Sequence, residues 1–193
     1  MRVIRAYDLC YPEGVLRGDD VYVEIGACRG KFLLKSELLN DLNTYHLIEP
    51  QKDLCASLHN RFPQPHVRIH NLAIDDRDGV GNFAVVKDAP ESSSFYQNGK
   101  DQTIETQTLE TWMDRENIDH IRFLAMNCEQ SEYDIIRHSG LVDVDFVAIE
   151  FHPGKSGIDT AGFLKYRLPN FETLAMFRQG EPYNVWLGKN RNA

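Results

Sequence analysis

No apolar run in this 193-residue chain approaches the ~20 residues that a helix needs to cross a bilayer. Positive charge is also scarce. The 21 Lys and Arg against 29 Asp and Glu leave a formal net charge of −8, which argues against broad electrostatic binding to nucleic acid or an anionic membrane surface. The four cysteines, Cys10, Cys28, Cys55 and Cys128, are scattered and form no Cys-x-x-Cys pair. They encode neither a disulfide framework nor a thiolate metal site, and a reduced, cytoplasmic setting is expected. His59, His66 and His70 lack metal-ligand spacing, so no metal is expected. The opening residues, MRVIRAYDLC, carry no apolar segment or small-residue cleavage site of a secretory signal. Apart from Ser92, Ser93 and Ser94 there is no low-complexity tract, and there are no internal repeats.

What is present is alternation. VYVEIG (from Val21), YHLIEP (from Tyr45), VRIHNLAI (from Val67), IRFLAMN (from Ile121) and FVAIEFH (from Phe146) are short apolar runs ending in polar or turn residues, and they read as strands. Between them lie KFLLKSELLN, QKDLCASLHNRF and SEYDIIRHSG, with apolar residues at helical spacing. In the last, Ser131 and Asp134 are spaced as a capping box and Gly140 as a stop. Strand-helix alternation of this kind predicts right-handed crossovers and a parallel sheet covered on both faces. Residues 80–112 break the rhythm with two strand-like pieces, GNFAVVK and TIETQTLETW, around a polar stretch, and are expected to be an insertion with a mobile loop. The tail, FETLAMFRQGEPYNVWLGK, reads as an antiparallel hairpin about a Gly-Glu-Pro turn. The whole is expected to be one α/β domain over 1–193, with 1–18 as an N-terminal extension. A parallel sheet finished by a hairpin is the Rossmann-like arrangement of class I methyltransferases.

In an open parallel sheet the ligand lies beyond the carboxyl ends of the strands, where strand order reverses. The turn after the first of these strands, EIGACRGKF, resembles a phosphate loop but fails its requirements. Only three residues separate Gly26 from Gly30, and Phe32 replaces the Ser or Thr hydroxyl. The dinucleotide fingerprint finds one glycine of three, which disfavours a nucleotide-dependent oxidoreductase. Glu49 closes the next strand 23 positions after Gly26, where a carboxylate accepts from two ribose hydroxyls. Its bland alternative is capping the following helix. Glu24, one residue inside the turn, gains nothing beside a phosphate but favours a cation. Adenosine plus a cationic centre describes S-adenosylmethionine, with Gly26 and Gly30 letting the backbone approach its methionine part.

The chain resembles the FkbM family of S-adenosylmethionine-dependent methyltransferases from about Gly18 to His152. The resemblance rests on VEIGACRG, HLIEP, NLAI followed by Asp-Arg-Asp-Gly, the serine run, TQTLETW, FLAMNCEQSEYDII and AIEFH. It implies that Gly26, Ala27, Cys28 and Gly30 line the methionine end. It also implies that Glu49 and Pro50 flank the ribose, that Asn71, Leu72 and Ala73 pass beside adenine, and that Asn127 lies close by. Cys28 stands where the family usually has Asn, and Ala125, Asn127, Glu129 and Gln130 stand where it commonly reads Lys, Asp, Glu and Gly. The expected activity is O-methylation of a hydroxyl on a small molecule such as a sugar or secondary metabolite, without nucleic-acid or membrane partners. His152 is the expected general base, with Glu129 as a second catalytic candidate and Glu150 as its rival. Phe95, Tyr96 and the serines either line an acceptor pocket on a closing loop or simply anchor that loop to the body. The alternative is a catalytically impaired cofactor-binding module of the same fold, for which the altered residues 125, 127 and 130 are the evidence.

Overall fold

The computed structural model describes residues 1–86, 93–94, 100–152, 159–179 and 183–193. A seven-stranded sheet forms the centre. Its parallel members are β3 (Val21–Ile25), β4 (Thr44–Ile48), β5 (Val67–His70), β9 (Ile121–Met126) and β10 (Val144–Phe151). The antiparallel hairpin of β11 (Phe171–Gln179) and β12 (Tyr183–Asn190) completes it, so that the order is β11-β12-β10-β9-β3-β4-β5. Strand order reverses between β3 and β9, which opens a crevice at their carboxyl ends. The helices α1 (Lys31–Ser36), α2 (Lys52–Arg61) and α4 (Glu132–Ser139) make the crossovers as expected. The tail's Gly-Glu-Pro turn lies outside the described residues.

Period-two alternation divides the core between the two sheet faces. Tyr22, Tyr45, Leu47, Phe123, Ala125, Phe146 and Ala148 pack together on one face, while Val23, Ile25, Ile48, Leu124, Met126, Val147 and Ile149 pack on the other. All eight residues of β10 are buried, as a strand covered on both sides requires. The same alternation carries Glu24, Glu49, Asn127 and Glu150 onto the first face at the strand ends. That face is covered by α1 and by an N-terminal hairpin, β1 (Val3–Ala6) with β2 (Leu9–Pro12), whose Leu9, Cys10 and Tyr11 join its core. The Tyr11 hydroxyl donates to the Ser36 carbonyl, and its ring meets Phe32 edge-on. The N-terminal extension is therefore part of the packed body.

Four expectations are corrected. VRIHNLAI is not one strand, because the Asn71 side-chain amide donates to the carbonyls of Glu49 and Pro50 and turns the chain. β6 (Ala73–Ile74) consequently leaves the main sheet to pair with β8 (Lys100–Gln107), which also pairs with β7 (Gly79–Val85) in a separate three-stranded sheet. TIETQTLETW is a strand only to Gln107. Thr108 Oγ1 accepts the Thr111 N–H (3.1 Å) and starts α3 (Leu109–Glu116), with Asp78 accepting from Thr108 N–H and the Thr111 hydroxyl. KFLLKSELLN is helical only to Ser36, since Glu37 adopts a left-handed conformation. Ser131 makes no capping bond, and Asp134 pairs with Arg137 instead, although Gly140 does end α4 at φ 61°. A fifth helix, α5 (Thr160–Arg167), has no counterpart in the sequence reading; Gly162 in its first turn weakens the local signal.

Candidate active site

A cavity of about 350 Å³ opens at the carboxyl ends of β3, β4, β9 and β10, within the range of small-molecule sites. Of the expected residues, Glu24, Gly26, Ala27, Cys28, Glu49, Pro50, Leu72, Ala73, Asn127, Glu129 and His152 line it. Gly30 and Asn71 do not. Asn71 is committed to the two carbonyls described above, and Gly30 packs against α2, where a Cβ would run into the Phe62 ring. A Cβ at Gly26 would overlap the Asn127 carbonyl oxygen. Both glycines have positive φ, 77° and 64°. Their freedom is thus used first for approach of protein to protein, which corrects the expectation of approach to ligand alone.

Glu49 holds the turn together. Its Oε2 accepts the Cys28 N–H (2.8 Å) and its Oε1 the Gln51 N–H (2.9 Å), so it shapes both the β3 turn and the start of α2. Both oxygens thus accept backbone donors, the role that the helix-start alternative gave this residue. Glu24 is buried and accepts the Tyr22 hydroxyl (2.6 Å), which excludes a simply solvated strand-end carboxylate. Burial raises the carboxyls of Glu24 and Glu49 to about 7, against the lowering effect of their hydrogen bonds.

A second polar group forms the other wall. Asn127 Nδ2 donates to Glu150 Oε2 (2.6 Å), and burial, with the charges of Asp8, Glu129 and Glu132 adding to it, raises Glu150 to about 7 despite the opposing effect of His152. His152 lies between two carboxylates, with Nε2 3.0 Å from Glu129 and Nδ1 2.9 Å from Glu132. Burial alone would push its pKa down; the hydrogen bonds and charges of Glu129 and Glu132 outweigh this and raise it to about 10. Glu132, fully buried, also accepts the N–H groups of Cys128 (3.0 Å) and Gln130 (3.0 Å). Sequence reasoning missed Glu132. The available signal was an acidic residue in the first turn of a helix that follows a strand-end loop.

The loop it clamps is strained. Glu129 and Gln130 both have positive φ, 52° and 88°, where side chains are disfavoured. Gln130→Gly should therefore stabilise the fold by about 0.5–1 kcal/mol, the relief of strain exceeding glycine's extra entropy when unfolded. Denaturant unfolding measures this, and a less stable variant would contradict the strain assignment.

Beyond the cavity, the fold brings together residues of a kind that can bind metal, His46, His70 and Glu116. His46 Nδ1 and His70 Nε2 face one another at 3.0 Å in nearly parallel rings, 6° apart, and Trp112 meets both edge-on. The facing nitrogens already share a hydrogen bond, and burial holds His46 neutral by lowering it to about 3. Ser93 lines the cavity, whereas Phe95 and Tyr96 lie outside the described residues.

A parallel sheet reversing between β3 and β9, closed by the β11–β12 hairpin and presenting acidic strand ends to one cavity, defines a class I, Rossmann-like methyltransferase fold. The chain belongs to the FkbM methyltransferase family: the Methyltransferase FkbM domain matches residues 24–180. It has no match in sequence among curated proteins. Among solved structures, one similar to it is the fibrillarin/Nop5p complex (TM-score 0.58, 10% identity, 91% of this chain and 74% of that one). Another is Aeropyrum pernix fibrillarin with natively bound S-adenosyl-L-methionine (0.54, 11%, 90% and 67%). A third is M. capricolum TrmK with S-adenosyl-homocysteine (0.53, 9%, 90% and 62%). At these identities the likeness is one of fold. Two of these neighbours hold S-adenosyl-L-methionine or S-adenosyl-homocysteine, and the donor set here fits such a cofactor: buried carboxylates, costly in isolation, suit hydroxyl donors and a cationic centre. Among the described residues no helix is long and apolar enough to cross a membrane.

Proposed function

We propose that the chain transfers a methyl group to a hydroxyl oxygen of a small molecule. The observation that carries this reading is Glu150, a buried carboxyl on the cavity wall, held by Asn127, with its pKa brought to about 7. A general base serves best when its pKa lies near the working pH. His152, raised to about 10, keeps its proton at neutral pH and has no lone pair to offer, so the base role moves from His152 to Glu150. His152 then positions Glu129 and keeps positive charge beside Glu150. The cofactor, when bound, supplies a sulfonium methyl with a good leaving group. Glu150 would take the proton of the acceptor hydroxyl as its oxygen is methylated, and Asn127 would hold that carboxyl in place. Glu49 is proposed to hold the ribose and Glu24 to favour the cationic methionine end, with Gly26, Ala27, Cys28, Pro50, Leu72, Ala73 and Asn127 as the surrounding wall.

Labelled methyl transfer from S-adenosylmethionine to a panel of sugars, phenols and hydroxy acids tests the reading. Absence of transfer to every member would favour the impaired-module alternative.

Cofactor affinity should also depend on pH. Glu24 and Glu49, at about 7 in the free protein, ionise more readily beside an ammonium and two hydroxyl donors, so binding releases protons below neutrality. Affinity for S-adenosylhomocysteine should rise from pH 5.5 to about 7.5 and then level, by up to about tenfold per unit for each carboxyl. Calorimetry in buffers of different ionisation enthalpy reads the proton release; a flat profile would remove both carboxylates from the binding role.

A further inference from the structure

Three side chains that take no part in methyl transfer come together from three separate elements. His46 lies on β4, His70 ends β5 and Glu116 ends α3. None of them lines the cavity. Parallel pairing sets His46 beside Arg68 and Ile48 beside His70, so the two histidines are diagonal neighbours on the sheet face that Trp112 of α3 covers. The spacing of histidines along the chain does not report such a group, because 24 residues separate these two and the carboxylate arrives from a later helix.

The distances are close to those of a metal site. His46 Nδ1 and His70 Nε2 stand 3.0 Å apart. Two nitrogens bound to one tetrahedral zinc ion, each at ~2.0–2.1 Å, stand ~3.3 Å apart, so the pair needs only a small opening. The proton they share then passes to the outer nitrogen of the donating ring, and the rings turn until both lone pairs meet at the ion. Glu116 supplies the third side: its Oε1 lies 3.7 Å from His70 Nδ1, and one donor atom from each residue is within 4.8 Å of the other two. Trp112, fully buried, packs edge-on against both imidazoles at 5.3 Å. The side chains of His70 and Glu116 keep 10% and 20% exposure, so the group reaches solvent.

The local charges accommodate a cation. Glu116 sits at the end of a helix, where the dipole disfavours a carboxylate and favours positive charge. Two arginines already face the group. Arg115 Nε is 3.2 Å from Glu116 Oε1, but its Nη1 is 3.3 Å from Glu105, so the guanidinium keeps a carboxylate when Glu116 turns to an ion. Arg68 is exposed, where salt and water screen it.

We propose that His46, His70 and Glu116 bind one zinc ion, with water in the fourth position, and that the ion ties α3 to β4 and β5. Two imidazoles and a carboxylate suit zinc, whereas magnesium and calcium take oxygen donors. The tie also steadies the chain just after His70, where Leu72 and Ala73 line the cavity.

The full chain, stripped with a chelator, is titrated with zinc by calorimetry, and cobalt(II) takes the place of zinc for absorption spectra. One ion should bind per chain, the thermal unfolding midpoint should rise as zinc is added, and the cobalt spectrum should show d–d bands without thiolate charge transfer. Glu116→Gln changes a partly exposed helix end at constant size, so the fold should survive; it should weaken zinc binding at least about tenfold, and His70→Gln should weaken it further. His46 is left in place because it is fully buried. Zinc held instead by cysteines, or by exposed His120 beside Asp145, would be insensitive to both changes. The proposal is overturned if stripped wild type binds no zinc, if either variant binds it as tightly as wild type does, or if cobalt reports thiolate ligands.

Discussion

Glu150→Gln should lower the rate of methyl transfer by about 10²-fold or more, with cofactor affinity unchanged, because the amide keeps the shape of the carboxyl but cannot accept the acceptor's proton. Asn127 can still donate its amide hydrogen to the carbonyl oxygen of the substituted side chain, so the fold should survive. The residual rate should lose the inflection near pH 7 that the Glu150 carboxyl gives the wild type, whose rate rises as that group ionises. A His152→Asn change is expected to act differently. It removes a positive charge that favours ionised Glu150, so the inflection should move to higher pH and not vanish. Rate profiles of the two variants therefore separate base from positioning residue. If Glu150→Gln retains both the rate and the inflection, Glu150 is not the base.

The roles of these two residues show where sequence reasoning reached its limit. The parallel sheet, the terminal hairpin and the set of strand-end polar residues were legible because each depends on local pattern: short apolar runs, period-two alternation and glycine turns. Alternation even predicts that Glu24, Glu49, Asn127 and Glu150 share a face. The protonation of His152 was not legible, since it depends on Glu129 and Glu132 reaching it from a loop and a helix that follow another strand. The N-terminal hairpin was likewise read as an extension, because nothing local in Tyr7 and Asp8 reports that the chain folds them back over a cavity built from residues 24–152. Asn71 illustrates the opposite case. Its position at a strand end suggests a ligand, and the structure adds a role in the fold: the side-chain Nδ2 donates to the Glu49 and Pro50 carbonyls and turns the backbone.

Glu132→Ala should destabilise the protein by about 3–5 kcal/mol, the typical result of removing one partner from a buried charged cluster. Three donors depend on this fully buried carboxylate: the N–H groups of Cys128 and Gln130 and the ring of His152. The two backbone bonds also hold Glu129 and Gln130 in their left-handed conformations, so their loss lets the strained loop relax away from the cavity. A pH signature distinguishes this from generic loss of packing. The folded-state pKa of His152 lies above its ordinary 6.5, at about 10, so its ion pairs contribute stability fully below 6.5 that is lost as pH rises through 10. Without Glu132 the imidazolium loses one of the two carboxylates that touch its ring, the folded-state pKa falls, and the alkaline decline in stability should shrink and move to lower pH. Urea unfolding at intervals from about pH 6 to 10 measures both effects. A loss below about 1 kcal/mol with an unchanged pH profile would show that Glu132 does not hold the loop or the histidine.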